Sequence, residues 1–146
     1  MLPIPESLSL SGNVAIVTGC GSESGIGFSI AQHLGQLGCA LIITSTSDRI
    51  KDRVKQLRAV GIQAFGIACD LCEETNGRKV VELALEKFGH CEILVNNAGM
   101  TSLSFEVVTT GTAESGDILS MDLATWRRCH TRNVITLLSN TNQCST

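Results

Sequence analysis

The chain of 146 residues has no tyrosine, two prolines and only 3% aromatic residues, so few large side chains are available to anchor a core. Nowhere does an apolar run approach the ~18–20 residues that a membrane-spanning helix needs, and a membrane partner is not expected. Basic residues are also short: 11 Lys and Arg stand against 14 Asp and Glu, for a net charge of -3 and a pI near 5.5. Without a basic field, a nucleic-acid partner is not expected either. Charged residues make up 17% and apolar residues 43%, with mean hydropathy +0.22, which excludes a disordered tail or a highly charged coiled coil. The opening MLPIPESLSLSG has neither a basic n-region nor an apolar h-region, so a secretory signal is not expected.

The seven cysteines are odd in number and irregularly spaced. They suit reduced thiols in a cytoplasmic compartment better than a disulfide framework. Cys69-Asp70-Leu71-Cys72 is formally a CxxC, but no second CxxC or HxxxH completes a zinc ligand set, and no metal is expected.

Glycine is plentiful, at 14 residues, and it punctuates a regular pattern. Asn13 to Thr18 reads as a buried strand that runs straight into glycines. From Gly25 to Leu37, Ile26, Ile30, Leu34 and Leu37 mark one face of a helix, with Gly38 placed to end it. Ala40–Thr44 is a second strand, followed by a helix through Ile50, Val54, Leu57 and Val60 that Gly61 closes. Gln63–Ala68 is a third strand. A third helix begins at Glu73 or Glu74, runs through Val80, Val81, Leu83, Ala84, Leu85 and Phe88, and ends at Gly89. Glu92–Asn96 is a fourth strand.

The order β-α-β-α-β-α-β, with strands that lack polar alternation, predicts an α/β fold: a Rossmann-type, doubly wound parallel sheet in three α/β/α layers. Residues 101–120 read as a long loop, and Asp122 can cap a short helix through Leu123, Trp126 and Cys129. The end of the chain, 134–146, starts apolar but finishes as SNTNQCST, with no helical face.

The first strand-to-helix junction, Thr18-Gly19-Cys20-Gly21-Ser22-Glu23-Ser24-Gly25-Ile26-Gly27, has the physics of a phosphate cradle. Glycines let backbone approach a pyrophosphate, and a helix N-terminus offers N–H groups and the positive end of its dipole. Glu23 would repel a phosphate unless it points to solvent. A glycine-rich turn can also be merely tight, but its place at the first β-α junction favours the cradle.

These residues resemble the short-chain dehydrogenase/reductase family, whose turn is TGxxxGIG. Thr18-Gly19 and Gly25-Ile26-Gly27 match, with an intervening turn two residues longer than the common form. Three further segments match in order. Asp70, with Leu71 beside it, stands where the family's acidic residue meets the adenine. Asn96-Asn97-Ala98-Gly99 matches the NNAG that lines the cofactor. Trp126 and Asn133 match W-x6-N, whose asparagine supports the catalytic proton relay. Taken singly, Asp70 reads as a cap and Asn133 as a polar helix residue; four motifs in register carry the resemblance, from Leu10 to about Thr136.

The resemblance implies cofactor contacts from Gly19, Ser22, Gly25, Ile26, Gly27, Asp70, Leu71, Asn97, Ala98 and Gly99, and a supporting catalytic role for Asn133. At the end of the second strand, NAD users carry an acidic residue for the ribose hydroxyl. Ser45 and Thr46 stand there instead, with Arg49 soon after and Asp48 nearby, so NADP(H) is expected over NAD(H).

The family reduces carbonyls or oxidises alcohols with a tyrosine, a lysine four residues later and an upstream serine. The chain has no tyrosine and its last lysine is Lys87. His130 and Cys129 read as helix-flank residues and do not replace them. The expectation is therefore the N-terminal, dinucleotide-binding portion of one domain, cut before its catalytic half, with residues 134–146 a divergent or disordered tail. Ile93-Leu94-Val95 would then lie on an exposed sheet edge.

Resemblance of TSTSDRI and of Arg132-Asn133 to bacterial-type 3-oxoacyl-carrier-protein reductases implies a carbonyl or acyl thioester substrate, and a homo-oligomer for a full-length relative. The alternative is a non-catalytic nucleotide-binding or interaction module.

Overall fold

The computed structural model describes residues 6–99 and 123–135. A short 3-10 turn, Glu6–Leu8, precedes β1 (Val14–Val17), α1 (Ile26–Gln36), β2 (Ala40–Ser45), α2 (Ile50–Ala59), β3 (Ala64–Ala68), α3 (Glu74–Phe88) and β4 (Ile93–Val95). Beyond these lie α4 (Leu123–His130) and a π-helical turn, Thr131–Ile135. The expected loop at 101–120, the cap at Asp122 and the tail from 136 onward fall outside the described residues.

The four strands form one parallel sheet in the order β3-β2-β1-β4. Val14 pairs with Ala40 and Val17 with Ile43 on one side of β1, while Ala15 pairs with Ile93 and Val17 with Val95 on the other. The chain thus leaves β1 in both directions, as a doubly wound sheet requires.

Alternation along the strands divides the core in two. Ala15, Val17, Leu41 and Ile43 pack with Phe28 and Ala31 of α1 and with Ile50, Val54 and Leu57 of α2. Val14, Ile16 and Ile42 point the other way, onto Val80 and Ala84 of α3. β1 and β2 as far as Ile43 are apolar because both of their faces are covered, and burying each Val, Leu or Ile there contributes about 1.5–3 kcal/mol.

Three helix positions differ from the periodic reading. Ile26 is 75% exposed, Val60 70% and Leu85 51%. The buried stripe of α1 is Gly27, Phe28 and Ala31, with Ile30 and Leu34 only partly covered. The α1 face is set by where the first turn meets the sheet, one position away from the pattern that the aliphatic residues suggest. β3 and β4, at the two edges of the sheet formed by the described residues, are only partly buried, whereas β1 is wholly so.

Candidate functional site

Beside β1, where the winding direction changes, a cleft of about 390 Å3 opens at the C-terminal ends of the strands. Gly19, Gly21 and Ser22 line it from the turn after β1. Thr44, Ser45, Thr46 and Arg49 come from the end of β2 and the segment beyond. Cys69, Asp70, Leu71 and Cys72 follow β3, Ala98 and Gly99 follow β4, and Arg132 comes from the π-helical turn. A second cavity, of about 300 Å3, lies at the opposite end of the sheet among Asn13, Gln63 and His90, away from every motif residue.

Eight of the expected residues line the cleft: Gly19, Ser22, Ser45, Thr46, Asp70, Leu71, Ala98 and Gly99. Gly25, Ile26, Gly27, Asn97 and Asn133 do not, and each has a different position. Gly25 is the extended residue at the start of α1, where no side chain among the described residues caps the helix N-terminus. Exposed Ile26 stands on that first turn. Gly27 is buried, and a Cβ there would run into the Asn97 amide and, at 2.7 Å, the Gly19 carbonyl oxygen. Close packing accounts for Gly27 without any ligand. Asn133 sits beside Gly99, its Oδ1 2.9 Å from where a Gly99 Cβ would be, and its Nδ2 donates to the Cys129 carbonyl at 3.0 Å.

The turn after β1 and the segment after β4 are laced together. The backbone N–H groups of Asn97 and Ala98 donate to Thr18 Oγ1 at 3.0 and 2.9 Å, and that hydroxyl donates to the Val95 carbonyl at 3.2 Å. Asn97 Nδ2 donates to the carbonyls of Thr18 and Gly19 at 2.9 and 3.3 Å. Gly19, at φ +77, leaves no space for a Cβ, which would lie 2.8 Å from Ala98 Cα. Only glycine meets both demands. Farther along, Cys20 N–H donates to the Thr44 carbonyl at 2.7 Å, and Gly25 N–H to the Ser22 carbonyl at 3.2 Å, closing a tight turn that absorbs the extra length.

The charged residues fall into a simple arrangement. Glu23 turns away onto α2, where Arg53 Nη1 lies 3.2 Å and Gln56 Nε2 3.0 Å from its carboxylate. Asp48 pairs with Lys51 at 3.1 Å and is absent from the cleft lining, leaving Arg49 as the charge beyond β2 that faces it. Ser45 Oγ donates to the Ser47 carbonyl and accepts from Ser47 N–H, so its hydroxyl shapes the bend. Asp70 Oδ1 accepts from Cys72 N–H at 3.0 Å, an Asx turn that orients the start of the segment before α3. Leu71 is 7% exposed and packs into the α3-side core as well as edging the cleft.

Burial pushes the Cys20 thiol up to about 12. Burial, and then the neighbouring Asp70 charge, raise Cys69 as well, which keeps it a neutral thiol. Among the described residues, no group of three or more His, Cys, Asp or Glu is placed to hold a metal. No helix among them is long and apolar enough to cross a membrane.

Gly21, Thr44, Cys69, Cys72 and Arg132 are lining residues that the sequence reading did not place in the site. For Gly21, spacing within the glycine turn was a usable signal. Arg132 had none, because only the fold brings the π-helical turn to the strand ends.

A family model described as short chain dehydrogenase matches residues 13–146. The chain belongs to the short-chain dehydrogenase family. The match runs on past Thr136, where the motif resemblance was expected to end. Among curated relatives, the peroxisomal 2,4-dienoyl-CoA reductase, (3E)-enoyl-CoA-producing, of Arabidopsis thaliana is 41% identical over 88 residues, covering 60% of this chain and 29% of that protein.

Two solved structures superpose closely. The hydroxysteroid dehydrogenase from Escherichia coli has a TM-score of 0.80 at 28% identity, over 94% of this chain and 53% of that one. A metagenomic short-chain oxidoreductase in complex with NADP has a TM-score of 0.77 at 28% identity, over 93% of this chain and 56% of that one. This short-chain dehydrogenase chain therefore spans about half the length of those two solved relatives. The parallel α/β sheet is that of the family, whose members are oxidoreductases that bind NAD(P).

Proposed function

We propose that this chain is the NADP(H)-binding portion of a short-chain oxidoreductase acting on a carbonyl or alcohol such as a 3-oxoacyl thioester. One observation carries the cofactor reading. The glycine turn that leads into α1 lines the cleft through Gly19, Gly21 and Ser22, and the β2 end beside it contributes Ser45, Thr46 and Arg49 and no carboxylate to the lining.

The residues present fit such a group. The first turn of α1 would meet the pyrophosphate, whose charge complements the positive end of the helix dipole. Thr46 and Arg49 would receive the 2′-phosphate, the guanidinium as its charged partner. Asp70 and Leu71 would border the adenine, and Ala98 and Gly99 would leave room for the cofactor along the end of β4. The bound nicotinamide supplies the hydride. Asn133, beside Gly99, is the one residue present that we assign a supporting place in proton transfer. The NADP-bound relative supports the nucleotide class, and the 2,4-dienoyl-CoA reductase among the curated relatives supports a thioester substrate.

Titration of the chain with NADPH and NADH tests the proposal. NADPH is expected to bind more tightly. Tighter NADH would overturn the cofactor preference, and binding of neither would overturn the dinucleotide site.

A second reading, a non-catalytic nucleotide-binding or interaction module, is favoured by one fact. The 146 residues contain no tyrosine, and Lys87, the last lysine, lies over the Phe65 ring at 5.4 Å and takes no part in the cleft lining. Under either reading, the 146 residues alone should not oxidise NADPH with a 3-oxoacyl thioester. Measurable turnover would remove the second reading.

A further inference from the structure

We infer that Glu23 is a positioning residue, whose clamp onto α2 holds the lengthened turn in the shape that binds a dinucleotide diphosphate. The inference rests on the dinucleotide reading of the cleft and deepens it.

A carboxylate inside a phosphate cradle is unfavourable, and Glu23 is one of the residues that make this turn longer than TGxxxGIG. The structure resolves the conflict by using both carboxylate oxygens elsewhere. Oε2 meets Arg53 Nη1 at 3.2 Å and Oε1 accepts from Gln56 Nε2 at 3.0 Å. The anchor is firm on the helix side. The Arg53 side chain is only 12% exposed, and its guanidinium lies 5.4 Å from the ring of Phe28, a core residue on the first turn of α1. Arg53 Nε and Gln56 Oε1 are buried with no hydrogen-bond partner among the described residues. Glu23, whose side chain is 69% exposed, therefore answers a largely buried guanidinium, so solvent screens the pair from the turn side only.

The clamp ties three segments together: the turn, α2 and the start of α1. Glu23 is flanked in the turn by Gly21 and Ser22, which line the cleft, and by Gly25, at the start of α1. Releasing Glu23 frees the turn to move and returns a negative charge toward the phosphate position. Removing the whole side chain frees the turn without that charge.

The test compares Glu23→Ala, Glu23→Gln and Arg53→Met by NADPH and NADH titration and by amide hydrogen exchange at residues 20–24 without ligand. Glu23→Ala should weaken both dinucleotides by about tenfold and Arg53→Met, which leaves the freed carboxylate in the turn, by more, with their ratio unchanged because the diphosphate is common to both. Exchange should rise in the turn and stay unchanged in β1 and β2. Glu23→Gln keeps an acceptor oxygen for Arg53 and should restore affinity to within about threefold of wild type. Wild-type affinity or tighter binding in Glu23→Ala, or unchanged exchange in its turn, would overturn the clamp. If the wild-type chain binds neither dinucleotide, the cofactor reading fails; the exchange data then judge the clamp separately.

Discussion

Thr18 and Asn97, 79 positions apart in the chain, hold the two halves of the cleft floor together. The Thr18 hydroxyl accepts the Asn97 backbone N–H, and the Asn97 side-chain amide donates back to the Thr18 carbonyl at 2.9 Å. One hydroxyl thus satisfies the backbone amides of Asn97 and Ala98 at the point where β4 ends.

Thr18→Val keeps the shape and removes that acceptor. The Ala98 amide then loses its partner, while the Asn97 amide keeps the Val95 carbonyl at 3.1 Å, at a cost of about 1–3 kcal/mol. Urea unfolding of the variant should show the loss as a lower midpoint with an unchanged slope. A variant as stable as wild type would mean that water replaces the hydroxyl without cost.

Gly27→Ala and Gly25→Ala should differ. A Cβ at Gly27 meets the Asn97 amide and the Gly19 carbonyl, so about 2–3 kcal/mol of stability should be lost as the turn shifts. At Gly25 the nearest atoms are those of Ser22 at 3.1 Å, where a small movement suffices, and the loss should stay below about 1 kcal/mol. Equal destabilisation in chemical denaturation would contradict this order.

Cofactor preference should follow the end of β2. Thr46→Asp places a carboxylate on the cleft rim and should move the NADPH-to-NADH affinity ratio toward NADH by about tenfold or more. Arg49→Ala should weaken NADPH and spare NADH. Calorimetric titration of both variants checks the pair, and a fall in NADH affinity equal to that in NADPH would place Arg49 away from the 2′-phosphate.

The Cys20 thiol carries a pH signature. Its folded value, raised by burial to about 12, exceeds the ordinary 9.0, so the folded state keeps the proton that the unfolded chain releases. Its contribution to stability is complete below about pH 9 and is lost as pH rises toward 12. Cys20→Ala should flatten the fall in unfolding free energy across that window. In the native chain, exposed Cys72 should react with a thiol reagent at mild alkaline pH while Cys20 does not.

Much of this molecule is written in short stretches. The Val14–Val17 and Ala40–Ile43 runs are apolar throughout because each strand is covered on both faces, so their composition alone signals a parallel sheet. Glycines after strands and helices mark the junctions, and Thr18-Gly19, Asp70 and Asn97-Ala98-Gly99 follow the ends of β1, β3 and β4. In a parallel sheet those ends share one side, so the cleft's main lining could be placed from order alone.

The tertiary structure decided which of these residues meet. No local pattern shows that Gly27 is small for Asn97, that Glu23 is spent on Arg53 and Gln56, or that Arg132 joins Arg49 at the cleft. Nor does helix periodicity reveal that Ile26 stands exposed while its neighbours Gly27 and Phe28 are buried. The scarcity of tyrosine, proline and aromatics bounded the chemistry of these 146 residues from the outset. Periodicity and turn chemistry act over a few residues, so the sequence itself sets the elements and their order. Contacts between segments as distant as Thr18 and Asn97 depend on sheet register and helix packing, which exist only once the chain has folded.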